Sequence, residues 1–358
     1  MRDRDGRHID PDLGVLEGEG AHQEVRTERA EPAPLDVWTE APSRAAGPAG
    51  PGYYDRPVLK EPVWIWAVPA YFFVGGAAGA AAILGEAAET LGGDEMAGLV
   101  KRARWIGAAG GALGTGLLIY DLGRPGRFLH MLRVFRPSSP MSVGSWVLAA
   151  AAPAFAASAV LSHSQGTFGR VGNAIGKAAG ALGLPLAGYT GVLLASTAVP
   201  LWQAARHALP VLFMASSASS ASALLDFAHL NETEAEVVRR FGIAAEVAEL
   251  VTAFVLEKQV SRTERVAEPL RTGVGGALWK TSTTLSVTGL ALSLLPGQSR
   301  AKSILSGLVG TLGGLVVRFA MFEAGKASAR DPHATFAQQR DGRGAAELRG
   351  AWRPLTSS

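Results

Sequence analysis

Long apolar runs fill residues 63–323, and Ala, Gly, Leu and Val make up most of them. A run of about 18–25 residues with few charges is long enough to cross a bilayer as a helix. The pattern therefore predicts an all-α integral membrane protein with eight transmembrane helices. The eight predicted spans are Val63–Glu86, Ala103–Tyr120, Val143–Ser162, Leu182–Trp202, Leu209–Ala228, Val237–Lys258, Gly273–Leu295 and Ile304–Glu323. The sixth carries charge in its interior, so a soluble amphipathic helix is the alternative there.

The ends of the chain differ in composition from this apolar region. Residues 1–60 hold 12 acidic and 8 basic side chains and few large apolar ones, a composition typical of disorder. We therefore predict a disordered tail over residues 1–60, a transmembrane domain over 61–324 and a polar C-terminal tail over 325–358. Charged residues make up 18% of the chain, below the roughly 25% of soluble domains.

The connection between the second and third spans, Tyr120–Trp146, is the most unusual polar segment. It is longer than most helix–helix connections. Its arginines can hold an anionic ligand, a lipid headgroup or an acidic partner surface. The charged and ionisable residues of this loop are Asp121, Arg124, Arg127, His130, Arg133 and Arg136.

An even number of spans places both termini and this loop on the same side of the membrane, which we call side one. Positively charged loops normally face the cytoplasm. Nine Lys and Arg residues fall in the loops of each side. The charge count therefore leaves the orientation open.

Charged side chains inside a membrane cost roughly 2.5–3.5 kcal/mol each on insertion scales and are functional candidates. Glu246 and Glu249 are three residues apart and share a helix face. Lys280, Arg318 and Glu249 fall in the half of the bilayer nearer side one. Two interpretations remain: the charges neutralise one another as structural pairs, or they form a site that handles protons or a ligand. Two tyrosines in the spans add polar groups at comparable depth, namely Tyr71 and Tyr189.

Several kinds of metal and redox centre are not expected in this chain. It has no cysteine, so it cannot bind an iron–sulfur cluster through thiolates. None of its seven histidines lies in the middle of a predicted span or shares a helix face with another. We therefore expect no haem, zinc or di-iron site.

Four segments resemble the NrfD/PsrC-type, polysulfide-reductase-like family of quinone-interacting membrane subunits. The longest is DLGRPGRFLHMLRVFRPSSPMSVGSW (121–146). The others are WAVPAYFFVGGAAGAA (66–81), YTGVLLASTAVPLW (189–202) and GGLVVRFAMFEAGKASARDP (313–332). The resemblance covers residues 60–335.

This resemblance implies two four-helix bundles and a role in electron transfer with a quinone. The partners would be a ferredoxin-like iron–sulfur subunit and a molybdopterin-type catalytic subunit. The quinone would be menaquinone or ubiquinone, and the location the cell membrane. Glu246 and Glu249 would handle protons. The expected quinone pocket and its lid comprise Tyr71, Asp121, Arg124, His130, Tyr189, Lys280 and Arg318.

Two other functions stay open at this point. The chain could be a proton-conducting or purely anchoring subunit without a quinone site of its own. A standalone transporter is less favoured, because an even number of spans in each half does not produce an inverted repeat.

Overall fold

The computed structural model describes residues 8–9, 16–17, 59–162, 164–296 and 299–340. Residues 1–50 form a separate unit, in which His8–Ile9 (β1) pairs antiparallel with Leu16–Glu17 (β2). The remainder of the predicted 1–60 tail lies outside the described residues, apart from 59 and 60. The described part of the second unit is helical.

Eight helices of 19 or more residues occur in the described segments. They are α1 (Ala67–Gly92), α2 (Ala97–Leu122), α4 (Pro140–Leu161), α5 (Thr167–Ala195), α7 (Ala208–Asp226), α8 (Glu232–Val260), α10 (Gly273–Leu294) and α11 (Arg300–Arg330). Four short helices lie between or after them, namely α3 (Pro125–Met131), α6 (Pro200–Ala204), α9 (Glu264–Arg271) and α12 (Pro332–Arg340).

Five segments of the described residues are long and apolar enough to cross a membrane. They are Ala67–Leu122, Pro140–Leu161, Thr167–Ala195, Ala208–Asp226 and Arg300–Arg330. The first contains both α1 and α2. These five segments contain six of the eight long helices, and α8 and α10 are not among them. The chain is a helical protein with several membrane-spanning segments.

The long helices pack in two sets. In the first set, α1 and α4 each contact both α2 and α5. In the second, α7 and α10 each contact both α8 and α11. Helix α7 also contacts α1 and α5, and α11 contacts α1. The sets therefore meet along α1, α5, α7 and α11.

Helix ends follow from local sequence. Ser139 caps α4, where its side chain accepts a hydrogen bond from the Ser142 backbone N–H (3.4 Å) and Pro140 begins the first turn. Asn231 and Glu234 form a reciprocal capping box at the start of α8. Both devices satisfy backbone N–H groups that a helix N-terminus leaves without partners.

The predicted fourth span, Leu182–Trp202, differs from the structure at both ends. Helix α5 begins 15 residues earlier, at Thr167. The Gly- and Ala-rich segment before Leu182 is less apolar than the predicted span, but it is helical as well. It ends at Ala195, and Pro200 then starts the separate helix α6. The fixed φ of proline suits the first position of a helix, and its missing N–H does not suit a continuous one.

The C-terminal region also contains regular structure. Helix α11 continues past the predicted boundary at residue 324 to Arg330, and α12 follows. The Gln338 amide donates a hydrogen bond to the Gln203 side-chain oxygen (2.6 Å), so α12 is attached near α6. Residues 341–358 of the predicted polar tail lie outside the described residues.

Candidate functional site

Tyr71 of α1 and Tyr189 of α5 meet inside the first set of helices, near the side-one ends. Their hydroxyls form a hydrogen bond, and their ring centroids are 6.4 Å apart. Tyr71 is buried, with 2% of its surface exposed. The structure thus joins two predicted site residues that are 118 positions apart in sequence.

Glycines on the other two helices of this set make room for the two rings. A Cβ at Gly114 of α2 would lie 3.2 Å from Tyr71 Cδ2. A Cβ at Gly144 of α4 would lie 2.9 Å from Tyr189 Cζ. Carbon atoms pack best at about 3.5–4.0 Å, so neither position can accept a side chain without movement. All four helices therefore contribute to this tyrosine pair.

The arginine-rich loop connects α2 to α4 at the same end of this set. Asp121, at the end of α2, accepts a hydrogen bond from the Ile65 backbone N–H (3.2 Å) just before α1. Arg127 donates to the Leu122 carbonyl (3.1 Å), and Ser142 both accepts from the Arg136 N–H (3.0 Å) and donates to the Val134 carbonyl (3.2 Å). These contacts give the loop a defined shape.

The outer surface of the loop combines positive charge with apolar side chains. Arg124 and His130 are exposed on this surface, whereas Tyr71 is buried. Leu129, Val134 and Phe135 are between 57% and 65% exposed. The loop therefore presents a mixed basic and apolar face on side one.

A second group of predicted residues lies in the other set of helices. Arg318 of α11 is 1% exposed, and its guanidinium lies 4.3 Å from the centre of the Phe213 ring. Its Nη2 donates to the Phe213 carbonyl (2.9 Å) and to Ser217 Oγ (3.0 Å) of α7. Its Nε and Nη1 have no hydrogen-bond partner among the described residues. This cation is thus held by neutral groups and an aromatic face.

Glu249 of α8 is buried near Arg318, close enough for the two charges to interact. No direct ion pair joins them in the part of the chain that the structure describes. The Ser286 hydroxyl of α10 donates to Glu249 Oε1 (3.3 Å). Ser216 and Ser219 of α7 face the same carboxylate. Hydroxyls and Arg318 together surround Glu249.

Glu246, one turn earlier on α8, is also buried, at 6% exposure. It lines an open cavity of about 80 Å³ at the end of the second set where α7 ends and α8 and α11 begin, an end that we call side two. Ser219 lines the cavity as well as facing Glu249. Glu246, Ser219, Glu249 and Arg318 thus form a row of polar side chains that begins at the cavity, and we call this row the polar path.

Aromatic rings connect this path with the tyrosine pair. The ring centroids of Tyr71 and Phe72 are 6.0 Å apart, and those of Phe72 and Phe213 are 6.2 Å apart. The Arg318 guanidinium packs over the Phe213 ring. A Cβ at Gly76 of α1 would lie 3.6 Å from Arg318 Nη2. The two groups are thus adjacent across the contact between the helix sets.

Lys280 does not join either group. It is exposed on α10 and donates to the Arg271 carbonyl (3.2 Å). The neighbouring Trp279 belongs to the buried face of the helix, and Lys280 lies about 100° further around the axis. In the structure, therefore, Glu249 and Arg318 lie close together, and Lys280 lies apart from them.

Sequence reasoning missed two features. One is the run of buried serines on α7, visible as ASSASSASA at residues 215–223. The other is a buried polar cluster near side two of the first set, where Arg104 pairs with Glu89, lies 3.6 Å from Glu86 and donates to Asn173 (2.9 Å). Arg104 was counted among the nine basic residues of the side-two loops, although it is the second residue of the predicted span Ala103–Tyr120.

A family model described as polysulfide reductase, NrfD_2, matches residues 52–330. The chain belongs to this polysulfide reductase (NrfD_2) family. The match confirms the resemblance seen in the sequence and includes every helix from α1 to α11. Members of the NrfD family are membrane subunits of quinone-linked oxidoreductases, associated with catalytic and iron–sulfur subunits. Among curated proteins, none matches the chain significantly.

Proposed function

We propose that the chain is the quinone-reactive membrane subunit of a multi-subunit oxidoreductase. Its eight long helices cross the membrane as two four-helix bundles, which correspond to the two packing sets. Electrons pass between a quinone in the first bundle and an iron–sulfur partner docked on side one. The observation that carries this proposal is the Tyr71–Tyr189 pair beneath the arginine-rich loop.

The surroundings of the tyrosine pair suit a quinone headgroup. A quinone is flat and offers two carbonyl acceptors, and its reduction takes up two electrons and two protons. Tyrosine hydroxyls are donors, and aromatic rings with glycine walls fit a flat ring. Tyr71 and Tyr189 would exchange their mutual hydrogen bond for bonds to the headgroup. Asp121 would hold the start of α1 against the end of α2 at the pocket entrance.

The loop on side one fits the docking of an iron–sulfur partner. A chain without cysteine cannot hold a cluster by thiolates, so the cluster must approach from outside. Arg124 and His130 lie on the exposed basic and apolar face, which would bind an acidic surface of the partner and cover the pocket. Arg124 and His130 would thus cover the pocket and bind the partner. The hydrogen bond of Lys280 to the Arg271 carbonyl gives it no role in quinone binding.

The polar path in the second bundle supports proton handling. Glu249 lies between Arg318 and the serine hydroxyls, and Glu246 opens toward side two. A positioned carboxylate can accept or release a proton when its partner lies within hydrogen-bond distance, directly or through one water. Glu246 would take up or release protons at side two, and Glu249 would carry them toward Arg318 and the tyrosine pair.

Titration with a short-chain quinone analogue tests the quinone site directly. We expect Tyr189→Phe and Tyr71→Phe to weaken binding roughly tenfold each, since a lost hydrogen bond in a dry pocket costs about 1–3 kcal/mol. Tyr120→Phe is the matched control, because Tyr120 is 61% exposed and its ring lies tilted against that of Trp66, with the ring centroids 6.0 Å apart. If all three variants bind the quinone analogue equally well, Tyr71 and Tyr189 are not part of the quinone site.

One observation favours the rival function, a proton-conducting subunit without a quinone site. The two tyrosine hydroxyls already satisfy each other, whereas Glu246 faces an open cavity. This function predicts no binding of the analogue and a loss of proton uptake in Glu246→Gln. Measuring both quantities on the same purified complex separates the two functions.

A further inference from the structure

Four exposed basic side chains gather at the side-one ends of α8 and α10. They are Lys258, Arg262, Arg271 and Lys280, and we call them the basic cluster. Lys280 donates a hydrogen bond to the Arg271 carbonyl (3.2 Å), and the Arg271 guanidinium donates to Ser261 Oγ (3.1 Å), next to Arg262. Lys258 lies in the last turn of α8. Residues from the end of α8, the end of α9 and the first half of α10 therefore meet at one place.

The cluster lies at the top of an outward-facing groove between α8 and α10. The buried Trp279 of α10 donates its indole N–H to the Glu257 carboxylate of α8, which joins the two helices at this level. Lys258 and Lys280 each follow one of these two residues, so each lies about 100° further around its own helix. Both lysines are exposed. They therefore stand on the two outer edges of the groove.

Below the cluster, the edges of the groove are apolar. Phe254 is one turn before Lys258 and is 56% exposed, and the Lys258 ammonium lies 4.5 Å from the centre of its ring. Val287 is two turns beyond Lys280 on α10 and is 52% exposed. Lys280 itself lies roughly 10 Å along α10 from the first residue, yet its ammonium reaches back to the Arg271 carbonyl. Lysines that extend toward a membrane surface in this way have apolar surroundings at the level of their own Cα.

The basic cluster has a surplus of positive charge. Residues 257–280 contain five basic and three acidic side chains. The fifth basic residue, Arg265, forms ion pairs with Asp331 (2.7 Å) and Glu268 (3.3 Å). Glu257 accepts the indole N–H, and Glu264 lies in the first turn of α9. In the part of the chain that the structure describes, no ion pair involves any of the four cations of the cluster.

We propose that the basic cluster and the groove below it bind an anionic phospholipid. The phosphate would lie among Arg262, Arg271 and Lys280, and an acyl chain would lie along Phe254 and Val287. Guanidinium groups match phosphate oxygens in charge and geometry, and basic pockets between membrane helices bind anionic headgroups. A second copy of the chain fits this face less well, because a two-fold axis along the membrane normal would bring the two Lys280 side chains to the same depth.

This inference rests on the proposed crossing of the membrane by α8 and α10, but it does not depend on quinone binding. The basic cluster belongs to the second helix set, and the tyrosine pair belongs to the first. Loss of the lipid site should leave the titration with the quinone analogue unchanged. Failure of quinone binding should likewise leave lipid binding intact, so the two failures are distinguishable on the same preparation.

Native mass spectrometry of the purified full-length chain in detergent tests the proposal. Phosphatidylglycerol is titrated in parallel with phosphatidylcholine of the same acyl chains at constant ionic strength, and Tm is measured in both series. We expect one phosphatidylglycerol to bind per chain more tightly than phosphatidylcholine and to raise Tm, because a ligand that binds only the folded state stabilises it. Arg262→Gln and Lys280→Gln should each weaken its binding roughly fivefold, and Lys280→Arg should preserve it.

Lys101→Gln is the matched control, since Lys101 is an exposed lysine near the start of α2 on side two. It should keep the wild-type affinity for phosphatidylglycerol. The proposal is overturned if the two lipids bind equally, if inorganic phosphate alone raises Tm as much as phosphatidylglycerol does, or if Arg262→Gln and Lys280→Gln leave the affinity unchanged. Variants that change the oligomeric state but not the lipid affinity would assign this face to a second copy and would equally overturn it.

Discussion

Replacing Gly144 by alanine probes the tyrosine pair without removing any polar atom. The added Cβ would lie 2.9 Å from Tyr189 Cζ and closer still to two other ring carbons. Because carbon contacts are most favourable at about 3.5–4.0 Å, the nearest ring carbon has to retreat by roughly 1.5 Å. Such a movement changes the position of the Tyr189 hydroxyl relative to Tyr71.

The magnitude follows from three contributions. Overpacking costs about 1–3 kcal/mol, and loss of the tyrosine hydrogen bond costs roughly 0.5–1.5 kcal/mol. Replacing glycine by alanine within a helix stabilises the folded state by about 1 kcal/mol. The net destabilisation is therefore about 1–3 kcal/mol. A displaced Tyr189 should also lower the affinity for a quinone analogue roughly tenfold.

The assay combines Tm in detergent with titration of the quinone analogue. Gly116→Ala is the control, because a Cβ at Gly116 of α2 would meet no atom within 4 Å. It should leave both Tm and affinity at or above the wild-type values. Wild-type affinity in Gly144→Ala would refute the placement of the headgroup at Tyr189.

The remaining predictions concern the buried charges and the start of α1. Glu249→Gln should reduce proton uptake coupled to quinone turnover while leaving analogue affinity unchanged; full coupling would make Glu249 a structural group. Arg318→Met should lower Tm less than Arg318→Ala, because it keeps the packing on Phe213, and neither should retain coupling. Arg330 holds the pKa of Glu61 below its usual value through two hydrogen bonds (2.6 Å each). This ion pair stabilises the fold above the unfolded-state pKa and is lost as pH falls through the lower folded-state pKa. Tm should therefore decline on acidification in the wild type and less in Glu61→Gln.

The sequence predicts the class of the fold because hydrophobic run length is a local property. Glu246 and Glu249 were expected on one helix face, and the structure buries both side chains. The exposed position of Lys280 could have been predicted by the same reasoning, since the small and buried residues of α10 recur at Gly275, Trp279 and Ser282. Residue 280 lies outside that stripe.

Other features depend on tertiary packing and have no local signal. The tyrosine pair joins residues far apart in the chain, and its fit depends on Gly114 and Gly144 from two further helices. The start of α5 at Thr167 was missed because its first turns lie among Gly, Asn and Lys residues. Helix packing rather than hydropathy stabilises that segment.

Photo-crosslinking with an azido-quinone tests the central claim most directly. The purified complex is illuminated with the probe, and the labelled peptides are mapped by mass spectrometry. The account predicts labelling of the segments around Tyr71 and Tyr189, which an excess of unmodified quinone should suppress. Labelling confined to other helices, or labelling that competitor does not reduce, would contradict a quinone site in the first bundle.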